Sequence, residues 1–146
     1  MIVFALSPGA RTAASIYTAG TIALFGVSAA YHRFHWGDRM EAVMQRLDHS
    51  MIFVAIAATY TPIAAVALPD GPGSLILRIV WIGAIAGVIT QLFWPDAPRP
   101  ILVTLYITVG WAALLVIDDL WHSLGVAGFV LLMVGGLLHT IGAIVY

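Results

Sequence analysis

Residues 51–68 read MIFVAIAATYTPIAAVAL, eighteen residues without a charge. A helix that crosses the hydrocarbon core of a membrane needs about 20 mainly apolar residues, within a working range of about 17–25. The stretch has this length, and the polar run RLDHS (46–50) directly precedes it. It predicts a membrane-spanning helix, because lipid offers the backbone no hydrogen-bond partners and a helix satisfies its backbone internally.

Four other stretches have the same character, and short joints rich in proline, glycine or charge separate them. Such joints end helices, because proline lacks an N–H donor and glycine carries a high entropic cost in a helix. The last joint is the acidic pair Asp118-Asp119. The sequence predicts an all-α membrane protein, a transmembrane helical bundle that forms one domain over residues 1–146. Five full spans are expected at about 11–32, 47–68, 75–94, 101–117 and 124–146.

The composition of the chain supports this interpretation. Of its 146 residues, 62% are hydrophobic and 9% are charged, and the mean hydropathy is +1.01. Soluble domains have about 45–50% apolar and about 25% charged residues. The net charge of −1 argues against nucleic acid as a partner, and the absence of cysteine excludes disulfides and thiolate metal sites. The lipid bilayer is the predicted partner, whereas the oligomeric state stays open.

The arginines predict the orientation of the bundle. Alternate joints lie on the same side of a membrane, so four of the six arginines share one side and two share the other. The four are Arg33, Arg39, Arg46 and Arg99. An excess of arginine marks the cytoplasmic side. We therefore expect an integral protein of the plasma membrane, with the joint at 33–46 in the cytoplasm.

Both ends of the chain are apolar. Residues 1–6 (MIVFAL) are too few to span a membrane, and Tyr146 ends the chain inside the last apolar stretch. We therefore expect residues 1–6 to be the end of an N-terminal partial span, and the chain to belong to a larger helical bundle.

Ionisable side chains at membrane depth are functional candidates, because placing them there costs free energy. Ser28 and His32 lie one turn apart on the same face near the end of the first span, and Asp48 stands at the start of the second. Because consecutive spans form a hairpin, Asp48 enters the membrane at the depth at which His32 leaves it. Histidine is a common zinc ligand, and a nearby aspartate can orient or deprotonate a metal-bound water.

Each of these residues also has a structural interpretation. His32 could be an amphipathic side chain at the membrane interface, and Asp48 could complement the dipole in the first turn of its helix. Ser28 could bond back to the carbonyl four residues earlier. Their convergence at one depth favours a functional site, although catalytic zinc needs three protein ligands.

Other polar residues in the spans have structural explanations. His49 points about 100° away from Asp48 around the helix. His139 could approach the site from the last span, but a hydrogen-bonded histidine inside the bundle is the more common case. Gln91 predicts an interhelical hydrogen bond, and Gly83 with Gly87 predicts a close approach of helices.

Three motifs give the chain a family resemblance. They are SAAYH at 28–32, RLDHS at 46–50 continuing to ATYTP at 58–62, and GGLLHTIGAIVY at 135–146. In this order and spacing they resemble the hemolysin III branch of the progestin and adipoQ receptor family, which includes the adiponectin receptor-like proteins. The resemblance covers nearly the whole chain.

The resemblance implies a fold of seven transmembrane helices and a place in a superfamily of membrane hydrolases that includes alkaline ceramidases. It implies zinc near the cytoplasmic side, held by His32 and by two histidines of an H-x-x-x-H motif in the seventh helix. Asp48 and Ser28 would then hold the zinc-bound water. The chain has no H-x-x-x-H motif and so contains one of the three expected ligands, His32; we expect zinc in the full-length protein.

Two classes of function stay open. In the first, the protein is a zinc-dependent intramembrane hydrolase of a lipid amide or acyl bond, with Asp48 as base and Ser28 positioning the water. In the second, it is a pore-forming hemolysin that causes cytolysis, or a ligand-responsive receptor without catalysis. A helical scaffold with only a structural role is a third alternative. Polar residues cluster at one side of the membrane, which argues against a wide channel.

Overall fold

The computed structural model describes residues 7–94 and 96–145. Within these ranges the chain is helical and contains no strand, which confirms the all-α class. The expected partial span at 1–6 and the final residue, Tyr146, lie outside the described residues. The helices are α1 (Pro8–Arg33), α2 (Asp38–Ala67), α3 (Asp70–Phe93), α4 (Arg99–Gly110) and α5 (Ile117–Val145), and a 3-10 segment, Trp111–Val116, joins α4 to α5.

The outer surface of these helices suits lipid rather than water. Large aliphatic side chains such as Ile82, Leu131 and Ile144 are exposed along it. Contiguous apolar surface of this extent is unfavourable in water and favourable in hydrocarbon. The chain therefore forms a membrane helical bundle. Among the described residues, four helical stretches are long and apolar enough to cross a membrane: Pro8–Arg33, Asp38–Ala67, Asp70–Phe93 and Arg99–Val145.

The long C-terminal stretch doubles back on itself at Gly125. This glycine has φ 64° and ψ 174°, and it is the only residue with positive φ in the described part of the chain. The rings of Trp121 and Phe129, on either side of it, meet edge to face at 5.0 Å. The sequence places the joint at Asp118-Asp119, but both acids stay helical in the first turn of α5. The break falls at Gly125 because glycine adopts positive φ without steric cost.

Helix α2 begins at Asp38, ahead of the position 47 expected for the second span. Gly37 precedes it in an extended conformation, and the acids Asp38 and Glu41 occupy its first turn. Negative charge there complements the positive end of the helix dipole. The joint between α1 and α2 is therefore short, and Asp48 lies well inside a continuous helix.

Helices α1 and α2 form a close antiparallel pair. Gly20 of α1 faces Ala58 of α2, and a Cβ added at Gly20 would lie 2.5 Å from the Ala58 Cβ. Ala13 and Gly20 are the buried residues of α1 in the described chain, so α2 holds α1 mainly through small residues. Small residues at such contacts let two backbones approach closely. This approach places the end of α1 beside Asp48.

Helix α3 packs between α2 and α4 through two more glycines. An added Cβ at Gly83 would lie 2.8 Å from Val109 of α4, and one at Gly87 would overlap the ring of Phe53 in α2. These contacts confirm the predicted close approach at both glycines. The core lies between α2, α3 and the α4–α5 region, and its largest buried side chains include Phe53, Ile76, Val80 and Leu120.

Tyr60 of α2 contacts the backbone at the point where α4 ends and the 3-10 segment begins. The Tyr60 hydroxyl donates a hydrogen bond to the Gly110 carbonyl oxygen at 2.6 Å. It also accepts one from the Ala113 N–H at 2.9 Å. A side chain that inserts between backbone groups in this way interrupts the regular helical ladder. Tyr60 therefore accounts for the local 3-10 geometry that begins at Trp111.

The close contact at Gly20 generates a first prediction. Gly20→Val should lower the free energy of unfolding by about 1–3 kcal/mol, because the new side chain overlaps Ala58 across a tight interface. Gly26→Val is the matched control, since no atom lies within 4 Å of a Cβ added there. The control should change stability by about 0.5 kcal/mol or less. Thermal unfolding in detergent micelles measures both, and equal losses would contradict the packing argument.

Tyr60 generates a second prediction. Tyr60→Phe keeps the ring but leaves the Gly110 carbonyl and the Ala113 N–H without the hydroxyl, which should cost about 1–3 kcal/mol of stability. Tyr17→Phe, in the exposed part of α1, is the control and should be neutral. Thermal unfolding gives the stability change, and amide hydrogen exchange at Ala113 should become faster. Unchanged exchange at Ala113 would show that the Tyr60 hydroxyl does not hold this turn.

Candidate functional site

The α1–α2 hairpin brings His32 and Asp48 together. His32 Nε2 lies 3.9 Å from Asp48 Oδ2. This separation allows a favourable charge interaction but exceeds hydrogen-bond distance. The two side chains differ in environment, because 69% of the His32 side chain is exposed and 14% of the Asp48 side chain is. The aspartate is therefore the half-buried member of the pair, and the histidine is the accessible one.

Ser28 lies one turn before His32 in α1 and is half-buried. Other hydroxyls in this helix bond back to the carbonyl four residues earlier, as Thr18 does to Ala14 at 2.8 Å and Thr21 does to Tyr17 at 2.9 Å. The Ser28 hydroxyl makes no such bond within residues 7–94 and 96–145. The structural interpretation of Ser28 therefore does not hold, and its hydroxyl can bind another group.

The position of Asp48 within α2 removes its structural interpretation as well. Because α2 begins at Asp38, the acids of its first turn are Asp38 and Glu41. Asp48 lies in the third turn, beyond the range over which the helix dipole favours a carboxylate. The dipole at the start of α2 therefore does not explain Asp48, whose nearest ionisable partner across the hairpin is His32.

Aromatic residues order the end of α1 near His32. The rings of Tyr31 and His32 lie 4.7 Å apart between centroids. After the helix ends, Trp36 turns back and its Nε1 donates to the Ala30 carbonyl oxygen at 3.3 Å. The short joint is thus tied to the last turn of α1.

Of the other histidines in the spans, His49 follows Asp48 in α2 and interacts electrostatically with both Asp48 and His32, whereas His139 and His122 lie elsewhere. His139 lies against Gly110, and its Nε2 is 3.3 Å from the Tyr106 carbonyl oxygen. It is therefore a hydrogen-bonded histidine of the α4–α5 contact. His122 is exposed beyond the start of α5, with Nδ1 2.7 Å from the Asp118 carbonyl oxygen.

The described residues do not by themselves complete a zinc site. Residues 7–94 and 96–145 contain no group of three histidine, cysteine or acidic side chains that could hold a metal ion. A catalytic zinc ion requires three protein ligands and an open position. His32, with Asp48 beside it, can supply one ligand and one acidic neighbour, and these two residues fit one edge of such a site.

An apolar cavity of about 500 Å³ lies inside the bundle. Helices α1, α2 and α5 and the 3-10 segment form its walls. Leu24 and Ile52 line it, and they lie one turn farther into the bundle than Ser28 and Asp48, on the same helical faces. Ser28, His32 and Asp48 do not line the cavity themselves; Ser28 and Asp48 lie one helical turn beyond Leu24 and Ile52.

A second buried network joins α2, α3 and α4. The Gln91 Nε2 donates to the Tyr106 hydroxyl at 2.9 Å, which confirms the predicted interhelical bond of Gln91. The Tyr106 hydroxyl in turn lies 3.3 Å from the His49 carbonyl oxygen, to which it donates. Sequence reasoning did not find Tyr106, because a tyrosine at the middle of an apolar span carries no signal for a partner 57 residues away.

Comparison with known proteins places the chain in a family. A family model described as Haemolysin-III related matches residues 1–146. Hemolysin-3 of Bacillus cereus is 32% identical over 149 residues, which cover 100% of the chain and 68% of that protein. The Hemolysin-3 homolog of Bacillus subtilis (strain 168) is 32% identical over 149 residues, which cover 100% of the chain and 70% of that protein.

A more distant relative is a human protein of the adiponectin receptor-like group. The monocyte to macrophage differentiation factor of Homo sapiens is 25% identical over 140 residues, which cover 93% of the chain and 58% of that protein. No solved structure matches the chain. The match of the family model over the whole chain and the identity to the two Bacillus proteins agree with the motif resemblance. The chain belongs to the Haemolysin-III related family.

Proposed function

We propose that the protein is a zinc-dependent membrane hydrolase that cleaves an amide or another acyl bond of a lipid. The observation that carries the proposal is the His32–Asp48 pair, 3.9 Å apart, with Asp48 one helical turn from Ile52 in the lining of an apolar cavity. A lipid hydrolase needs a polar reaction centre beside a space for an alkyl chain. The position of Leu24 and Ile52, one turn below Ser28 and Asp48, supports this arrangement.

His32 would hold the metal together with ligands from outside the described residues. When bound, zinc would polarise the scissile carbonyl and make water a better nucleophile. The Asp48 carboxylate would accept a proton from the attacking water as its oxygen bonds to the carbonyl carbon. The Ser28 hydroxyl would orient that water. Asp48 would then pass the proton to the leaving nitrogen as the C–N bond breaks, which releases a fatty acid and an amine.

The cavity suits the apolar part of such a substrate. Its volume of about 500 Å³ lies within the range of about 300–1,000 Å³ that is common for small-molecule sites. Tyr60, Trp111 and His139 also line it and add few polar groups to a mainly apolar wall. An acyl chain in this space would leave its carbonyl near Ser28 and Asp48.

The proposal includes the topology. The reversal at Gly125 divides the Arg99–Val145 stretch into two antiparallel halves, so that the described helices would cross the membrane five times within a seven-helix bundle. The joints after α1 and after α3 then lie on one side, which carries Arg33, Arg39 and Arg99. The arginine excess would place this side, and with it His32 and Asp48, in the cytoplasm of a cell whose plasma membrane holds the protein.

Metal content tests the role of His32. The purified full-length protein should contain about one zinc ion per chain, and His32→Ala should lose most of it. His35→Ala is the matched control, because His35 is exposed in the same joint and should not affect zinc content. Elemental analysis after gel filtration gives the metal content. Metal-free wild-type protein would contradict the proposal.

Turnover tests the role of Asp48. Asp48→Ala should lower the hydrolysis rate of a ceramide-type lipid amide by about 10²–10⁴-fold, because it removes the general base. Asp38→Ala, an exposed acid in the first turn of the same helix, should keep the wild-type rate. Release of fatty acid from mixed micelles measures the rate. Undiminished turnover in Asp48→Ala would rule out the assigned role.

The alternative without catalysis rests on the name of the Bacillus cereus relative, Hemolysin-3. A pore requires polar groups that face a channel. The buried polar side chains of the described chain, Ser50, Thr61 and Gln91, instead bond to neighbouring groups inside the bundle. Dye release from liposomes that zinc chelation does not affect would favour a lytic protein. A response to a bound ligand without any turnover would favour a receptor.

A further inference from the structure

Asp48 adjoins a turn of α2 that two other helices hold through buried polar groups. The chain of contacts runs from Gln91 in α3, through the Tyr106 hydroxyl in α4, to the carbonyl oxygen of His49 in α2, with donor–acceptor distances of 2.9 and 3.3 Å. Gln91 is 6% exposed and Tyr106 is 3% exposed. A polar chain buried to this degree is costly unless each member is bonded, so it fixes the geometry of the helices that it joins.

The ring of Tyr106 contacts the same turn of α2. It stacks on Phe53 with the centroids 4.3 Å apart and the planes at 20°. Phe53 is fully buried, and Gly87 of α3 leaves the space that its ring occupies. Phe53 lies one turn after His49, so Tyr106 contacts the turn at both ends, with its hydroxyl at one and its ring at the other.

The hydrogen bond from Gln91 determines which way the Tyr106 hydroxyl donates. A tyrosine hydroxyl has one proton to donate and lone pairs to accept. Because it accepts from Gln91, its proton is directed toward the His49 carbonyl. Gln91 thereby orients the bond that Tyr106 makes to α2.

We propose that Tyr106 and Gln91 are positioning residues for Asp48. They hold the 49–53 turn of α2 in one rotation about the helix axis, and the Asp48 carboxylate, immediately before this turn, stays within 3.9 Å of His32. His32, on the opposite side of the pair, is largely exposed. The inference rests on the proposed function for its effect on turnover, but the positioning itself can be measured without it.

The absence of cysteine allows a direct test of position. In the double substitution His32→Cys/Asp48→Cys, a short bifunctional thiol reagent should link α1 to α2 in the folded protein. Adding Tyr106→Phe, which keeps the ring and removes the hydroxyl, should slow this cross-linking by about tenfold, because intramolecular rates depend steeply on alignment. Gln91→Met should also slow the cross-linking, and it provides the test if the Tyr106→Phe variant does not fold.

The control is Trp81→Phe. Trp81 Nε1 donates to Thr61 Oγ1 at 3.3 Å, so this variant also removes a hydrogen bond between α3 and α2, but far from Asp48. It should leave the cross-linking rate unchanged. Unchanged cross-linking in both Tyr106→Phe and Gln91→Met would overturn the inference, and so would equal slowing in Trp81→Phe, which would indicate general loosening of the bundle.

Turnover gives the second readout, in the protein with His32 and Asp48 intact. Tyr106→Phe and Gln91→Met should each lower kcat by about tenfold or more with little change in KM, and the double variant should be no worse than the more impaired single variant. A change in KM alone would contradict a positioning role. If the wild-type protein hydrolyses no lipid, the proposed function fails, and the cross-linking rates still decide whether Tyr106 positions Asp48.

Discussion

The bundle depends on one constraint: a polar group inside it must find its partner within the protein, because lipid offers none. In the described residues every buried side-chain nitrogen or oxygen has a hydrogen-bond partner. Small hydroxyls such as that of Thr61 bond within their own helix, whereas Tyr60, Gln91 and Tyr106 bond to other helices. Apolar contacts alone select helix partners weakly in lipid. The long-range polar bonds therefore specify which helices pack together and at what depth.

The features of the fold that depend only on the local amino-acid composition could be predicted from the sequence. The helical class, the interhelical bond of Gln91 and the close approach at Gly83 and Gly87 follow from apolar length and isolated polar or small residues. The helix boundaries could not be predicted as well. Acidic residues at Asp38 and Asp118 look like joints, yet both are helical. Asp38 lies in the first turn of α2, where its charge complements the dipole, whereas Asp118 directly follows the 3-10 segment in a path that stays helical up to Gly125.

Part of the candidate site could likewise be predicted from the sequence, and part could not. Hairpin geometry alone brings His32 and Asp48 to one depth, since two consecutive helices joined by a short turn must meet there. The cavity and the support of Asp48 by Tyr106 depend on helices far apart in the sequence, and no spacing rule relates residue 49 to residue 106. The unusual position of Asp48, three turns into α2, emerges only when the true start of that helix is known.

The 3-10 segment that Tyr60 induces also affects how the cavity wall can deform. A 3-10 helix rises about 2.0 Å per residue, against about 1.5 Å in an α-helix, so the six residues of Trp111–Val116 lengthen this path by about 3 Å. Their hydrogen bonds have poorer geometry than those of the flanking helices. The wall that Trp111 and Ala113 contribute therefore has weaker backbone hydrogen bonds than its helical neighbours, and the Tyr60 hydroxyl holds it in the longer form. A bulky occupant that displaced Tyr60 would let this segment shorten toward the α-helical rise, and the cavity wall would recoil with it.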